Sequence, residues 1–589
     1  MDTRPRVIWD GLCGFCRIWI EYWKQLTGDR VEYATSQDAG AEYPQIPPAD
    51  FGRSVQFIRP DGTVLRGARA VFELLTYAPG YTWLLRLYEI VPGFAPISEA
   101  AYRFIASHRN LFYQLTRVLF GRRIVPLSHC FTEWLFIRLL AAIYLCAFVS
   151  LGVQVLGLVG ERGILPAGRY LDAVRSALGA AAYWNVPTLF WIAHGDAALK
   201  LASGVGAAVA IVLMFGFAQR WCLAVLFLLY LSLSSVGQDF LSFQWDFLLL
   251  ETGFLAIFLG SSRIVLWLFR WLLFRLTFLS GAVKLLSHDP NWTQLRALDF
   301  HYWTQPLPTP LAWYMSQLPP WFGRFSTGMV FFIELLIPFL IFAPRRSRFF
   351  GAWWLIFLQI LIFATGNYTF FNLLTMLLCL LLFDDQALLT KPFAGRVMVC
   401  ARRALVIPLV VIIVALSIFQ LMGALSGEVP APGRALLGLA APFGIVNSYG
   451  LFAVMTTARR EIIVQGSNDG TAWLDYEFPF KPGDPKRAPR WVAPHQPRLD
   501  WQMWFAALGD YRGNPWFVNF MERLLEGAPE VLGLLSSNPF PNAPPRYVRA
   551  VVYDYKFSDF RTRRATGQWW TRRPRGLYFP EVSLENFKR

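Results

Sequence analysis

Residues 237–255 read GQDFLSFQWDFLLLETGFL, a polar and aromatic lead-in running into an apolar span that carries Asp246 and Glu251. A carboxylate inside a span is costly unless it faces a protein interior or a wet cavity, so Glu251 needs a partner or a purpose. The expected partner is Lys284, near the far end of the next span in SGAVKLLSHDPNW, because consecutive elements are usually neighbours in space. Such a pair either holds helices together or supplies chemistry, and both readings stand at this point. Asp246 and Glu251 are separated by roughly 140° around a helix, so they do not share a face as a metal-binding carboxylate pair would.

Composition sets the frame around this stretch. The 589 residues are 55% hydrophobic and 16% aromatic, with a mean hydropathy of +0.38, too apolar for an ordinary soluble protein. The net charge of +16 is spread over loops that flank apolar runs and over an aromatic-rich tail. Membrane topology and anionic lipid headgroups account for such an excess, and no nucleic-acid-binding fold accompanies it. The first residues, MDTRPRVIWDGLCGFC, lack a long apolar stretch before a small-residue cleavage site, so the first span is expected to drive insertion.

The fold class expected is a polytopic α-helical membrane protein of about nine spans, with a soluble α/β domain before it and an α+β domain after it. The divisions fall at 1–120, 121–428 and 429–589. Apolar runs long enough to cross lie near 134–158, 199–218, 220–236, 244–260, 264–286, 324–343, 349–365, 367–384 and 404–425. With the N-terminus inside, the inner flanks hold Arg122, Arg123, Arg220, Arg263, Arg345, Arg346, Arg348, Lys391, Arg396, Arg402 and Arg403, while the turns at 237–243 and 367–368 hold no Lys or Arg. That asymmetry is the positive-inside pattern, and an odd count puts the C-terminal domain in the periplasm or a lumen. Residues 186–195 are too short to span and read as an interfacial or re-entrant piece.

At the N-terminus the order is strand, turn, CxxC, helix: a short apolar run, then DGLCGFC, then RIWIEYWKQL with its apolar residues on one side. In that context CxxC has redox meaning. Cys13 at the start of a helix gains from unpaired backbone N–H groups, and Cys16 can resolve a mixed disulfide. A structural pair and a metal knuckle are the alternatives, the latter lacking a second CxxC among Cys130, Cys146, Cys222, Cys379 and Cys400. Strands at 31–35, 54–59 and 64–65, helices at 68–77 and about 102–121, and the run GTVLRGARA complete a pattern that resembles the DCC family of thioredoxin-like proteins, named for its DxxCxxC motif. The resemblance covers about residues 1–120 and implies thiol–disulfide oxidoreductase activity at Cys13 and Cys16. Where thioredoxins carry a proline before their third strand, this chain has Arg53 and Ser54.

Between the fifth and sixth spans lies residues 287–321, rich in Trp and Tyr, either an interfacial belt or a lid over a cavity with His288, Asp289 and His301 as polar anchors. No histidine pair has metal-ligand spacing, and no metal or cofactor motif is evident. After Pro430 the apolar runs shorten. EIIVQ at 461–465, the turn Asn468-Asp469-Gly470 and residues 473–478 read as a hairpin. Helices are expected at 498–508, 515–525 and 529–536, and a strand at 546–557. Arg546, Arg549, Trp569 and Trp570 are candidate client-binding residues, with a packed core or a membrane-surface role as the alternatives.

QWDFLLLETGFL, SGAVKLLSHDPNW and HYWTQPLPTPLAWY, together with EFPFKPGDP, LDWQMWFAA and SNPFPNAPPRYVRA, resemble the lipase maturation factor family in order over about residues 130–589. That resemblance implies a membrane factor for the folding of exported clients, secreted lipases among them. More distantly the middle resembles the membrane body of vitamin K-dependent gamma-carboxylases, which implies Lys284 as a catalytic base; an enzyme of that kind would give the intramembrane Glu251 a purpose as well. Three readings therefore compete: a maturation factor for exported proteins, a membrane enzyme using Lys284, and a thiol–disulfide oxidoreductase using Cys13 and Cys16.

Overall fold

The structure, a computed structural model, describes residues 4–121, 124, 128–260, 262–389 and 403–587. Of the flanking cations named above, Arg122, Arg123, Lys391, Arg396 and Arg402 lie outside the described residues, as does Cys400. The chain divides into two compact units, Met1–Ser128 with Ala343–Phe350, and His129–Phe342 with Gly351–Arg589.

In the first unit, strands β1 (Arg6–Trp9), β2 (Glu32–Thr35), β3 (Gln56–Ile58) and β4 (Val64–Arg66) form one sheet in the order β2-β1-β3-β4. β1 runs parallel to β2 and antiparallel to β3, and β3 pairs antiparallel with β4. Successive side chains of a strand point to opposite faces, and β1 uses both. Val7 and Trp9 enter a core with Ile20, Val31, Phe57 and Leu74, while Ile8 enters a second core with Ala39, Ile46, Phe51 and Ile58. A strand covered on both faces has to be apolar throughout, which is why RVIW shows no alternation. The principal helices are α1 (Gly14–Thr27), α2 (Gly67–Thr76), α3 (Phe94–Ser107) and α4 (Arg109–Phe120). The last two replace the single closing helix expected at 102–121, because His108 leaves helical geometry at φ −118° and ψ 36°.

The membrane helices are α5 (Cys130–Gly152), α6 (Asp196–Phe215), α7 (Gln219–Val236), α8 (Gln244–Ala256), α9 (Arg263–Leu286), α10 (Pro320–Phe331), α11 (Arg345–Thr365), α12 (Phe371–Leu380) and α13 (Arg403–Ser426), all in the second unit except the start of α11, which is counted with the first. α10 continues through a π-helical turn, Phe332–Leu336, to make a span ending at Phe342. Among the described residues seven helices are long and apolar enough to cross a membrane, against the nine spans expected. The shortfall is α8 and α12, which have 13 and 10 residues where a span needs about 20. Both are packed in protein along most of their length, so their backbone and polar side chains need no lipid-facing span. Residues 186–195 contribute only the short turn Leu189–Trp191.

The tail adds strands β5 (Arg459–Ser467), β6 (Leu474–Tyr476), β7 (Tyr547–Phe557) and β8 (Trp570–Ser583), in the order β6-β5-β7-β8, all antiparallel, with helices α14 (Arg498–Ala506) and α15 (Pro515–Leu525). The β5–β6 hairpin turns at Asp469, whose carboxylate accepts the N–H groups of Thr471 (2.8 Å) and Ala472 (2.9 Å), with Gly470 at φ +74°. β8 went unforeseen in the sequence. Its run of arginines has no strand-like alternation, and pairing with β7 forms it despite three register irregularities.

The tail is bonded into the body. Arg459 donates to the carbonyls of Trp303 (3.1 Å), Gln305 and Pro306 (2.8 Å). Asn367 accepts from Val492 N–H (2.7 Å) and donates to the Arg490 carbonyl (2.8 Å). Arg498 makes the ion pair between tail and body: its guanidinium clasps Asp246 at 2.8 and 3.0 Å while Tyr230 donates to the same carboxylate at 2.5 Å, all three buried. Removing one partner of a buried pair strands the other charge at a cost of about 3–5 kcal/mol. Arg498→Ala should therefore lower the melting temperature of the detergent-solubilised protein sharply, and Asp246→Leu combined with Arg498→Met should recover most of the loss. A single Arg498→Ala variant with unchanged melting would show that the tail is not locked through this pair.

Candidate functional site

The dithiol is built by the turn between β1 and α1. The Asp10 carboxylate accepts the Leu12 N–H (3.1 Å) and the Gln37 side chain (3.1 Å), which fixes the loop. Cys13 then stands at the N-cap of α1, its Sγ accepting the Cys16 N–H at 3.3 Å, with the two Sγ atoms 2.7 Å apart. The Cys16 thiol donating to Cys13 lowers the Cys13 thiol to about 6, against burial, with help from the Cys16 N–H and the Arg109 cation. The same hydrogen bond and burial push Cys16 up. One sulfur is thus a ready nucleophile and the other holds its proton. Cys13 thiolate can attack a partner disulfide, forming a mixed disulfide and releasing one partner thiolate. Cys16, on losing its proton, then attacks Cys13 Sγ and releases the second, so the partner gains two electrons and the pair closes as a disulfide.

Two features surround this pair. Leu12, beside Cys13, is 86% exposed, and behind Cys16 lies an apolar cavity of about 350 Å³ lined by Phe15, Trp19, Phe51, Phe72 and Tyr102. The position before β3 is Val55, whose N–H donates to Tyr102 Oη at 2.9 Å. β3 starts at Gln56, so this position is Val55 rather than the Arg53 and Ser54 expected, and a proline here would have no N–H for the bond.

The body's charges pair differently from the sequence expectation. Glu251 is met by Arg275, in the middle of α9, and not by Lys284. Its other oxygen accepts from Tyr449 Oη (2.7 Å), the Asn447 N–H (3.0 Å) and the Asn447 side chain (3.3 Å). Glu251 is therefore fully buried and fully satisfied. Lys284 instead donates to Glu334 Oε2 at 2.7 Å and to the Ser280 carbonyl at 2.8 Å, with the Trp292 ring 5.2 Å away. Glu334 lies in the π-helical turn, an irregularity often found at functional positions. Arg275 and Glu334 were missed, although each is a charge within a span and the rule that singled out Glu251 names both.

Lys284 and Glu334 border a cavity of about 560 Å³ inside the body, which Glu251 does not reach. Trp292, Leu298, His301, Tyr302, Leu311 and Met315 from residues 287–321 line it, so that segment roofs a cavity. Of the three polar anchors, His301 faces this cavity, with Nε2 3.2 Å from Tyr368 Oη; burial and the Lys284 cation push the imidazole down to about 4. Asp289 is a structural group, capping the Asn291 N–H (3.0 Å) and accepting the Met455 N–H (2.6 Å). Among the described residues no cluster of three or more His, Cys, Asp or Glu side chains could hold a metal.

The four tail candidates separate by burial. Trp570 is 1% exposed, packed against Tyr555 and Phe557 with the Arg459 cation 5.1 Å from its ring, and so belongs to the core rather than to a contact surface. Trp569 is half-buried under the Arg563 guanidinium, 3.5 Å from its ring. Arg549 lies 3.9 Å over Trp473 and donates to Gln465 at 2.9 Å, while Arg546 is exposed. The exposed strip beside them is residues 571–577 on β8; Arg572 and Arg573 were already part of the expected cationic surface, and Arg575 is added by the strand.

A dithiol domain fused to a polytopic helical body, with a tail that shares a buried ion pair with that body, defines an integral membrane protein carrying a dithiol domain. Family comparison carries this further. Residues 131–390 match the lipase maturation factor transmembrane domain, 445–580 the lipase maturation factor C-terminal domain, and 7–115 the DCC1-like thiol-disulfide oxidoreductase. Lipase maturation factor 2 of Gallus gallus is 36% identical over 76% of this chain and 81% of its own length. Lipase maturation factor 1 of Homo sapiens is 37% identical over 78% of this chain and 90% of its own. The chain belongs to the lipase maturation factor family. No solved structure matches it.

The asymmetry of the dithiol is measurable. Alkylation of the reduced, detergent-solubilised protein by iodoacetamide, read by peptide mass spectrometry, should show Cys13 reacting with a midpoint near pH 6 and Cys16 inert. Cys16→Ala removes the donor, so the Cys13 midpoint should move up towards that of an ordinary thiol. Equal labelling of both sulfurs would refute the assignment.

Proposed function

We propose that this protein assists exported clients, lipases among them, in reaching their active form, with the dithiol domain on the cytoplasmic side and the tail on the periplasmic or lumenal side. The observation that carries this reading is where the tail attaches. Its bonds gather on Ser150, Gln154, Asp246, residues 303–306 and Asn367, which lie at helix ends and loops, and the turns at 237–243 and 367–368 beside two of them hold no Lys or Arg. A tail fixed to that end of a membrane body presents its outer surface to whatever is exported there. The arrangement into residues 1–120, 121–428 and 429–589 belongs to this proposal, as does the thioredoxin-like reading of the head, which the strand order β2-β1-β3-β4 around a CxxC helix supports.

Cys13 and Cys16 are the residues to which chemistry is assigned, and Lys284 and Glu251 are read as charges that hold the body together. Client contact is assigned to Arg546, Arg549 and Trp569, and to the exposed arginines of β8. Pro574 and those arginines discourage another strand from pairing at this sheet edge, which favours contact through side chains with acidic clients.

Secreted lipase activity from cells lacking the gene, complemented with wild type, Cys13→Ser or Arg572→Glu with Arg573→Glu, tests both assignments at matched membrane levels of the protein. Loss of activity without the gene, and a several-fold drop with either variant, is the expected result. Undiminished lipase activity in the deletion strain would overturn the client assignment. For sidedness, a phosphatase that folds only outside the cytoplasm should be active when fused after residue 589 and inactive when fused at the N-terminus.

A further inference from the structure

The cavity beside Lys284 has a composition that selects a class of ligand. Its volume of about 560 Å³ falls within the range of small-molecule sites, which runs to roughly 300–1,000 Å³. The walls are mostly apolar, contributed by α9, α10, α11 and α12. Between α10 and α11 the wall includes Phe325, Phe357 and Leu361, which are 60%, 48% and 44% exposed on the apolar flank of the helices. The cavity therefore meets the lipid-facing flank, and the roof made by residues 287–321 covers its other end.

In the cavity wall stands a polar group with an unpartnered atom. Asn372, on the short helix α12, is 1% exposed; its Nδ2 donates to Gln359 Oε1 at 2.8 Å, and its Oδ1 has no hydrogen-bond partner in the protein. Whichever way the amide is turned, one of its two polar atoms is left over, and a buried polar group left unpaired costs about 1–3 kcal/mol. Gln359, Asn372, Thr375 and Tyr368 all line the cavity. The only other ionisable groups in the lining, apart from Tyr302 and Tyr368, are Lys284, Glu334 and His301. The first two neutralise each other at 2.7 Å, and the imidazole is held uncharged by burial. The site thus has no net charge to offer a phosphate or a carboxylate, and an anionic head would enter with no free counter-ion.

We propose that this cavity is a binding site for a neutral, single-chain, membrane-borne amphiphile, which enters between α10 and α11 and presents a hydroxyl-bearing head to Asn372 with its chain against Phe325, Met329 and Phe357. The site is independent of which proteins the tail assists, so its test reads binding alone.

The probe is a diazirine-bearing monoacylglycerol, photolysed with the full-length protein in phosphatidylcholine nanodiscs and mapped by peptide mass spectrometry. Saturable labelling should concentrate on residues 320–342 and 345–375. Unlabelled monoolein should compete and the anionic single-chain lipid lysophosphatidylglycerol should not. Asn372→Leu should weaken competition by roughly three- to tenfold, the worth of one hydrogen bond. Ser326→Trp, at a half-buried cavity-lining position, fills the space without touching the polar end and should abolish the saturable part while melting stays normal. Labelling that is unsaturable and spread evenly over all spans, or unchanged in Ser326→Trp, would overturn the site. Stronger competition by lysophosphatidylglycerol than by monoolein would overturn the neutral head.

Discussion

An ionised carboxylate cannot remain unpaired in an apolar interior, and the architecture of this protein follows from two of them. Asp246 and Glu251 lie on the same short helix, and neither is satisfied by the membrane helices alone. Asp246 takes Tyr230 from α7 and then Arg498 from the tail; Glu251 takes Arg275 from α9 and then Asn447 and Tyr449 from the segment that leads into the tail. The desolvation penalty is several kcal/mol per ion, and it is offset only when the remaining lone pairs are hydrogen-bonded as well. The tail is therefore a structural part of the body rather than a domain hung from it, consistent with both falling in one compact unit.

The sequence was most legible where a local rule applies. The CxxC turn, the Asn-Asp-Gly hairpin and the amphipathic or apolar helices were placed to within a few residues, because capping, turn chemistry and periodicity act over short distances. The pairing of Glu251 failed for a geometric reason. Adjacency in sequence selects the neighbouring helix but not its face, and Arg275 and Lys284 are nine residues apart, roughly 180° around α9. Only one of them can meet α8, and the other is turned towards Glu334. Arg498 was beyond reach altogether, since it lies 252 residues from Asp246 and no local pattern joins them.

The two helices too short to span carry much of the polar content of the body. Asp246, Glu251, Asn372 and Thr375 are on α8 and α12, whereas α6 and α13, long and apolar, are mostly exposed along their flanks. Hydropathy alone counts such short helices as spans, because protein burial and lipid burial select the same apolar residues. What distinguishes them is length and the polar groups they bring inside. A helix enclosed by other helices can end early and hold carboxylates and amides, because its neighbours satisfy the freed backbone and the charge.

The cysteine distribution separates the head of the chain from its tail. Cys13 and Cys16 are the only CxxC pair in the sequence, and from residue 429 onward there is no cysteine at all. Cys222 and Cys379 are buried in membrane helices, with burial leaving them inert as thiols. Nothing in the tail can form, break or reshuffle a client disulfide, so a contact made there acts through packing, charge and hydrogen bonds. The dithiol is confined to the head, where the half-buried Cys13 stands beside the exposed Leu12. A client bound at the tail therefore forms no disulfide bond to it.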